Sequence, residues 1–186
     1  EKFFLGVARH IPTKNVLRTV RAFELFCAMY EKKDMHYVHV GSRSDDSEQL
    51  DKIIESSPVK DRIHLVGYVD QSDLAALYSA AFALVFPILN EGFGLPAIEA
   101  MACGTPAILS TTAAPEITQG EAMLVDVLSE EEIADAMGAL ANNPDLRAVV
   151  AQKGRAKAAT FTWEATGNKL IAIYRSFDQK STNSGL

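Results

Sequence analysis

The amino-acid sequence predicts an α/β domain, a doubly wound parallel sheet of about six strands followed by a helical C-terminal tail. Two observations lead to this fold class. Short apolar runs alternate with segments of helical periodicity, as they do in β-α-β units. The strand-like runs are also apolar almost throughout, which is typical of strands that helices cover on both faces. The predicted architecture is therefore Rossmann-like.

Six apolar runs are the predicted strands, at residues 3–8, 36–40, 63–66, 82–86, 107–109 and 122–125. Apolar residues at helical spacing separate them, and a polar helix is expected over residues 46–56. Beyond the sixth run the pattern is helical. We therefore expect one domain over residues 1–178 and a polar, disordered tail over residues 179–186.

Chain length and composition restrict the classes of function. A chain of 186 residues suits one domain with a substantial core. The net charge of −6 argues against broad electrostatic binding to nucleic acid, although a small anionic ligand needs only one or two cations and backbone amides. Cys27 and Cys103 have no CxxC or CxxH neighbour, so neither a metal site nor a disulfide framework is expected. No apolar run reaches the roughly 18 residues that span a bilayer.

The loop after the fourth strand leads into a helix near Pro96, a residue that suits a first helical turn because its missing N–H costs nothing there. Gly92 and Gly94 permit close approach of the backbone to a ligand. Glu91 precedes the helix and Glu99 lies about one turn into it, so both carboxylates can face one crevice. With unpaired amides at the helix start, this arrangement suits a nucleoside diphosphate sugar. The alternative is a glycine-rich turn whose acidic residue merely complements the helix dipole.

Two cations bracket the short turn after the first strand. Arg9 and Lys14 can neutralise two phosphates and stabilise a departing nucleoside diphosphate, or they can be ordinary surface cations. After the third strand, backbone groups near Gly67 and Tyr68 can hydrogen-bond the edge of a base, or form a plain turn. His10 lies beside the first of these loops and is expected to line the site, whereas a structural role is expected for the other three histidines.

Several nucleotide-binding motifs are missing from the sequence. No GxGxxG follows the first strand, and no GxxxxGK followed by Ser or Thr occurs, so neither a dinucleotide site nor a P-loop is expected. Asp45 and Asp46 are adjacent, so they do not form the spaced DxD pair that would hold Mg²⁺ against a diphosphate. A metal-independent site that relies on Arg9 and Lys14 is therefore expected.

With these residues the chain resembles the C-terminal domain of glycosyltransferase family 4, the retaining transferases of the GT-B architecture. Residues 91–106 are close to the family signature, including two glutamates separated by seven residues. Arg9 and the Lys14-Asn15 pair match its cationic loop, and residues 66–69 match its third strand. Further matches are Leu74, Tyr78, Pro115-Glu116 and Phe161-Thr162-Trp163.

The resemblance implies roles for nine residues. Those with catalytic roles are Arg9, Lys14 and Glu91, and those that bind the donor are Phe93, Gly94, Leu95, Glu99, Gly67 and Tyr68. The two cations would hold the diphosphate, Glu99 would bind the ribose hydroxyls, and Glu91 would contact the donor sugar. Residues 93–95 would offer backbone amides to sugar and phosphate, and the loop at Gly67 and Tyr68 would meet the base.

The resemblance also implies the reaction: transfer of a sugar from a UDP-, GDP- or ADP-sugar to an acceptor with retention of anomeric configuration, and without a metal or other cofactor. The acceptor would bind mainly to an N-terminal domain, which is expected to be absent from this chain, so the fragment alone would be nearly inactive. A cytoplasmic enzyme is expected, with any association with the membrane surface made through that domain. Two other classes stay open, a non-catalytic nucleotide-sugar-binding regulatory module and an epimerase or sugar phosphorylase on the same fold.

The chain departs from the family pattern at several positions. Ala8 stands where glycine often precedes the arginine, and Leu89 and Asn90 replace smaller residues before the first glutamate. Gly41 is followed by Ser42 and Arg43 in place of a frequent Gly-x-Gly. This change is expected to put Arg43 near the phosphate end of the site.

Overall fold

The computed structural model of the chain shows a six-stranded parallel sheet, and it describes residues 2–111, 117 and 120–183, with side chains through residue 177. The strands are β1 Lys2–Val7, β2 Met35–Val40, β3 Ile63–Gly67, β4 Ala83–Phe86, β5 Ala107–Ser110 and β6 Met123–Val125. They pair in the order β3-β2-β1-β4-β5-β6. The doubly wound, Rossmann-like sheet is therefore confirmed, and each predicted strand is found to within one residue at either end.

Helices flank the sheet on both faces. In the described part of the chain they are α1 Val16–Tyr30, α2 Ser47–Ser56, α3 Gln71–Ala80, α4 Leu95–Ala102, α5 Glu130–Asn142, α6 Pro144–Ala158 and α7 Trp163–Asn183. Helices α1, α2 and α5 pack on one face, and α3 and α4 pack on the other. Within the same described residues, no helix combines the length and the apolar character that crossing a bilayer requires.

The central strand β1 is covered on both faces of the sheet, and neighbouring side chains of a strand point to opposite sides, so they pack into two different cores. Phe4 packs into one core with Phe26 of α1, and the two rings meet edge to face with centroids 5.3 Å apart. Leu5 packs into the other core with Met101 of α4. This double burial fixes the carboxyl end of β1, where the loop with the two predicted cations begins.

The strand order reverses direction between β1 and β4. From β1 the chain proceeds outward through β2 to β3, then returns through α3 to β4, which pairs with β1 at Phe4–Ala83 and Leu5–Leu84. A crevice opens at the carboxyl ends of two such strands, because their following loops leave in opposite directions. The loops after β1 and β4, which hold most of the predicted site residues, therefore face each other.

The C-terminal tail differs from the prediction. Helix α7 continues through Asn183, whereas the sequence predicts disorder from Gln179 onward. No glycine or proline lies between residues 168 and 183 to end the helix, so backbone hydrogen bonding continues through these polar residues. Residues 184–186 lie outside the described residues, and so do residues 112–116 of the predicted fifth loop, including Pro115 and Glu116.

Candidate functional site

A cavity of about 390 Å³ lies at the carboxyl ends of β1 to β4. Its wall combines strand ends, the loops after β1, β2 and β3, and the start of α4, with Val7, Arg9, Lys14, Gly41, Tyr68 and Pro96 among the lining residues. The structure therefore brings Tyr68 together with Arg9 and Lys14, although Tyr68 lies far from both of them in the sequence. This is the position that the strand order predicts for a ligand.

Lys14 and Glu91 form an ion pair beside this cavity. Lys14 Nζ lies 2.5 Å from Glu91 Oε2, and the two side chains are only 20% and 22% exposed. The other carboxylate oxygen of Glu91 accepts a hydrogen bond of 3.1 Å from the Gly92 amide. The two loops at the strand reversal are thus joined by a charge pair with restricted access to water, where electrostatic interactions are stronger than at an open surface.

Asn15 connects the same two loops to a third, and the sequence reasoning did not identify this role. Asn15 adopts the left-handed conformation, with φ of 57°, directly before α1. Its buried side-chain amide donates to the backbone oxygens of Pro87, at 2.9 Å, and Val127, at 2.8 Å. Because Asn tolerates positive φ better than most residues, an Asn directly before the helical pattern that follows Lys14 was the available signal. Asn15 fixes the position of Lys14 relative to the loop after β4.

Replacing Asn15 with alanine is expected to lower the free energy of unfolding by about 3 kcal/mol, because two buried carbonyl oxygens lose their donor. Urea denaturation followed by circular dichroism measures the loss. The matched control is Asn143→Ala, which removes an exposed helix cap to the Leu146 amide and should cost about 1 kcal/mol. Equal losses in the two variants would contradict the role assigned to Asn15.

Arg9 is exposed at the rim of the cavity. Within the described residues its guanidinium makes one long contact, 3.4 Å from Nη2 to the hydroxyl of Ser44, so it can reorient toward a ligand. Arg43 differs from the prediction, because its guanidinium pairs with Asp51 of α2 instead of facing the phosphate end. The strand-to-helix turn after β2 aligns those two side chains, and their opposite charges hold them together.

His10 also differs from the prediction. It is 2% exposed, and its Nδ1 lies 3.0 Å from the hydroxyl of Ser47, so it packs under the loops and does not line the cavity. Burial, and then the nearby charge of Arg43, lower the pKa of His10. Burial disfavours the charged form of the ring, so a neutral imidazole is favoured at this position.

Helix α4 begins as the sequence predicts. Gly94 precedes it with φ of 87°, a left-handed conformation that favours glycine, and Pro96 lies in the first turn. Amides at the start of a helix have no intrahelical partner and favour a negatively charged or hydroxyl-rich ligand. The side chains of Phe93 and Leu95 are exposed beside them, and the Phe93 ring packs edge to face on Phe161.

Glu99 lies one turn into α4 and faces α3. One of its carboxylate oxygens accepts a hydrogen bond of 3.0 Å from the hydroxyl of Tyr78. Burial, and then the charge of Glu99, raise the pKa of Tyr78, so this hydroxyl remains a donor. The contact leaves Glu99 oriented by α3 while its second oxygen keeps acceptor capacity for a ligand hydroxyl.

The rim opposite α4 is formed by the turn after β3. Gly67 has φ of 83°, and its carbonyl accepts a hydrogen bond of 2.8 Å from the Gly41 amide, which joins this turn to the one after β2. Tyr68 projects outward and is 79% exposed. A flat, solvent-exposed aromatic ring at the mouth of a polar cavity can stack on a planar ligand group.

Among the described residues, no cluster of three or more His, Cys, Asp or Glu side chains could hold a metal ion.

Several glycosyltransferases are similar to this chain. A sequence profile of the family described as "Glycosyl transferases group 1" matches residues 1–157. O-antigen chain mannosyltransferase B of Escherichia coli is 30% identical over 165 residues, which cover 88% of this chain and 43% of that protein.

Solved structures resemble the chain as well. Sucrose-phosphate synthase from Thermosynechococcus elongatus matches with a TM-score of 0.80 and 31% identity, covering 97% of this chain and 46% of that one. The C-terminal domain of a glycosyl transferase group 1 family protein from Francisella tularensis matches with a TM-score of 0.76 and 28% identity, covering 85% of both chains. The chain thus spans less than half the length of the mannosyltransferase and of the synthase.

Proposed function

Since the chain belongs to the glycosyl transferases group 1 family, we propose that it is the donor-binding domain of a retaining glycosyltransferase of family 4 with the GT-B architecture. The observation that carries this proposal is the convergence of Arg9, Lys14 and Glu91 at the reversal of strand order. Two cations and a carboxylate there supply complementary contacts for the two ends of a sugar diphosphate. The start of α4 supplies backbone amides at the same edge of the sheet.

Arg9 and Lys14 are proposed to bind the diphosphate of a UDP-, GDP- or ADP-sugar. Both side chains are basic, and both reach the cavity from the loop after β1. As the glycosidic bond of the donor breaks, negative charge grows on the departing diphosphate, and these cations stabilise it in the transition state. The proposed reaction needs no metal ion, because the protein itself provides the positive charge.

Glu91 is proposed to play two parts in turn. In the free protein it pairs with Lys14, which holds the lysine near the cavity. When a diphosphate enters, its oxygens compete for the ammonium group, and the Glu91 carboxylate becomes available to accept hydrogen bonds from hydroxyls of the donor sugar. The short distance between the two groups thus links phosphate binding to sugar recognition.

The remaining donor contacts are proposed around α4 and β3. The amides of residues 93–95 would bind sugar and phosphate oxygens, and Glu99 would bind the ribose hydroxyls. The turn at Gly67 and Tyr68 would meet the base, which the exposed Tyr68 ring can stack against.

Transfer to an acceptor is proposed to require an N-terminal domain of a longer enzyme. Helix α7 supports an interaction of this kind, because Leu170, Ile173, Tyr174 and Phe177 recur at helical spacing and are each more than half exposed. A contiguous exposed apolar stripe marks an interaction surface. The proposed enzyme acts in the cytoplasm with retention at the anomeric carbon, and its contact with the membrane surface, where it occurs, is made through the N-terminal domain.

Titration of the chain with UDP, GDP and ADP, followed by calorimetry, tests donor binding. We expect heat from at least one of the three, with no dependence on Mg²⁺, and weaker binding in Arg9→Ala. The control Lys33→Ala removes an exposed cation at the opposite edge of the sheet and should leave binding unchanged. Absence of binding by all three nucleotides would overturn the proposal, and NMR of the product made by a full-length enzyme would test retention.

A further inference from the structure

Two polar side chains of β2 are buried inside the domain. Tyr37 and His39 are 1% and 2% exposed, and because they are two residues apart on a strand, they point to the same face. The hydroxyl of Tyr37 lies 3.0 Å from His39 Nδ1, and His39 Nε2 lies 2.9 Å from the backbone oxygen of Ala8. Ala8 directly precedes Arg9, so this line of hydrogen bonds leads from the core to the cationic loop.

The direction of donation along this line is fixed by the last acceptor. A carbonyl oxygen can only accept, so His39 carries its proton on Nε2 and donates to Ala8. A neutral ring then has a lone pair on Nδ1, which accepts from the Tyr37 hydroxyl. Burial lowers the pKa of His39 to about 4, so the ring is neutral at pH 7. Tyr37 therefore orients His39, and His39 orients the Ala8 carbonyl.

Two glycines leave the space that this arrangement needs. A Cβ on Gly6 would lie 2.2 Å from the Tyr37 hydroxyl and 2.5 Å from His39 Nδ1. A Cβ on Gly41 would lie 1.7 Å from the Ala8 oxygen. Any larger residue at either position would displace the hydrogen-bonded groups.

The backbone on both sides of Arg9 is held while its side chain is not. The Ala8 amide donates to Val40 at 2.9 Å, and the His10 amide donates to Ser42 at 3.1 Å. The guanidinium has only its long contact with Ser44 among the described residues. The peptide thus sets the origin and direction of a side chain that is otherwise able to adapt to a ligand.

We infer that Tyr37 and His39 are positioning residues, which hold the Ala8–Arg9 peptide so that the Arg9 guanidinium faces the phosphate groups of a nucleoside diphosphate. The inference rests on the proposed function, because the position of Arg9 matters only where Arg9 binds the diphosphate. Buried groups with no such role would contribute to stability and leave the affinity for nucleotides unchanged.

The test is the affinity of the chain for UDP, GDP and ADP, measured by calorimetry at pH 7 for His39→Leu and Tyr37→Phe, each alone and combined with Arg9→Ala. We expect about tenfold weaker binding for His39→Leu and about threefold for Tyr37→Phe, as the loss of buried hydrogen bonds implies. When Arg9 is already alanine, neither change should weaken binding further, since residues that act through one group are not additive. His39→Gln, whose amide can donate to Ala8, should recover most of the affinity.

The control is Phe26→Leu, a change in the same core that leaves the loop untouched and should lower stability without lowering affinity. Unchanged affinity in the His39 and Tyr37 variants, or losses that add to that of Arg9→Ala, would overturn the inference. Where Arg9→Ala itself binds normally, the proposed role of Arg9 fails and the inference falls with it. Where His39→Leu does not fold, Tyr37→Phe and His39→Gln decide the same question.

Discussion

Replacing Lys14 with alanine in a full-length enzyme that carries this domain is expected to lower kcat by about 10²–10³, the usual loss when one positioned donor to a developing negative charge is removed. Lys14 is held for this task by Glu91 and by the neighbouring Asn15. Because the phosphates are charged in the bound donor as well, KM for the donor should also rise. Steady-state kinetics with saturating acceptor measures both constants.

Lys33 provides the comparison for this prediction. It is an exposed lysine at the opposite edge of the sheet, so Lys33→Ala changes the net charge equally but not the site. Its kinetics should match those of the unaltered enzyme. A Lys14→Ala enzyme with normal kcat would remove Lys14 from the mechanism, and the leaving group would then depend on Arg9 and the α4 amides.

Replacing Gly41 with alanine is expected to abolish nucleotide binding and to lower the free energy of unfolding by about 3 kcal/mol, the upper part of the usual cost of overpacking. The added methyl would lie 1.7 Å from the Ala8 oxygen and 2.5 Å from the Ala8 carbonyl carbon. These are backbone atoms held by hydrogen bonds on both sides of Arg9, so the added methyl displaces the peptide before Arg9. Urea denaturation and nucleotide titration of the same preparation measure both effects.

The Gly104→Ala variant is the control that distinguishes a steric clash from backbone strain. Gly104 also has positive φ, at 79°, but a Cβ there would meet only the Arg155 guanidinium, at 3.8 Å. Gly104→Ala should therefore cost about 1 kcal/mol of strain and leave nucleotide binding intact. Normal binding by Gly41→Ala would show that the position of the Ala8–Arg9 peptide does not control the site.

The strands and the two principal loops were predictable because each depends on local pattern. Continuous apolar runs such as that of β4 mark buried strands, and Gly94 with Pro96 marks a helix start after a strand. The rule that ligands bind beyond the carboxyl ends then assigns Arg9 and Lys14 to the same region. The prediction of the strands and the prediction that Arg9 and Lys14 lie near the ligand therefore need only local pattern and the order of elements along the chain.

Contacts between loops were not predictable in the same way. The Lys14–Glu91 pair joins residues 77 positions apart. Its geometry depends on the side-chain amide of Asn15, which donates hydrogen bonds to the backbone oxygens of Pro87 and Val127. His10 and Arg43 both belong to loops that follow strands, where the sequence predicts site residues. In the structure His10 turns inward to Ser47, and Arg43 pairs with Asp51 of α2. Burial and the nearest partner decide where such side chains point, and the sequence gives neither directly.

The position of β1 between β2 and β4 has a consequence for how the domain folds. The first three strands of the domain are consecutive in the chain and pair with one another. Strand β4, in contrast, pairs with β1, which lies about 80 residues earlier, so a long loop must close before that pairing forms. Closing a longer loop costs little extra free energy, since each doubling adds only about 0.6 kcal/mol, but non-local pairing slows folding. Lys14 and Glu91 lie on the two sides of that closure. A ligand that bridges them would bind only chains in which the closure is complete, and would hold the two halves of the sheet together against unfolding.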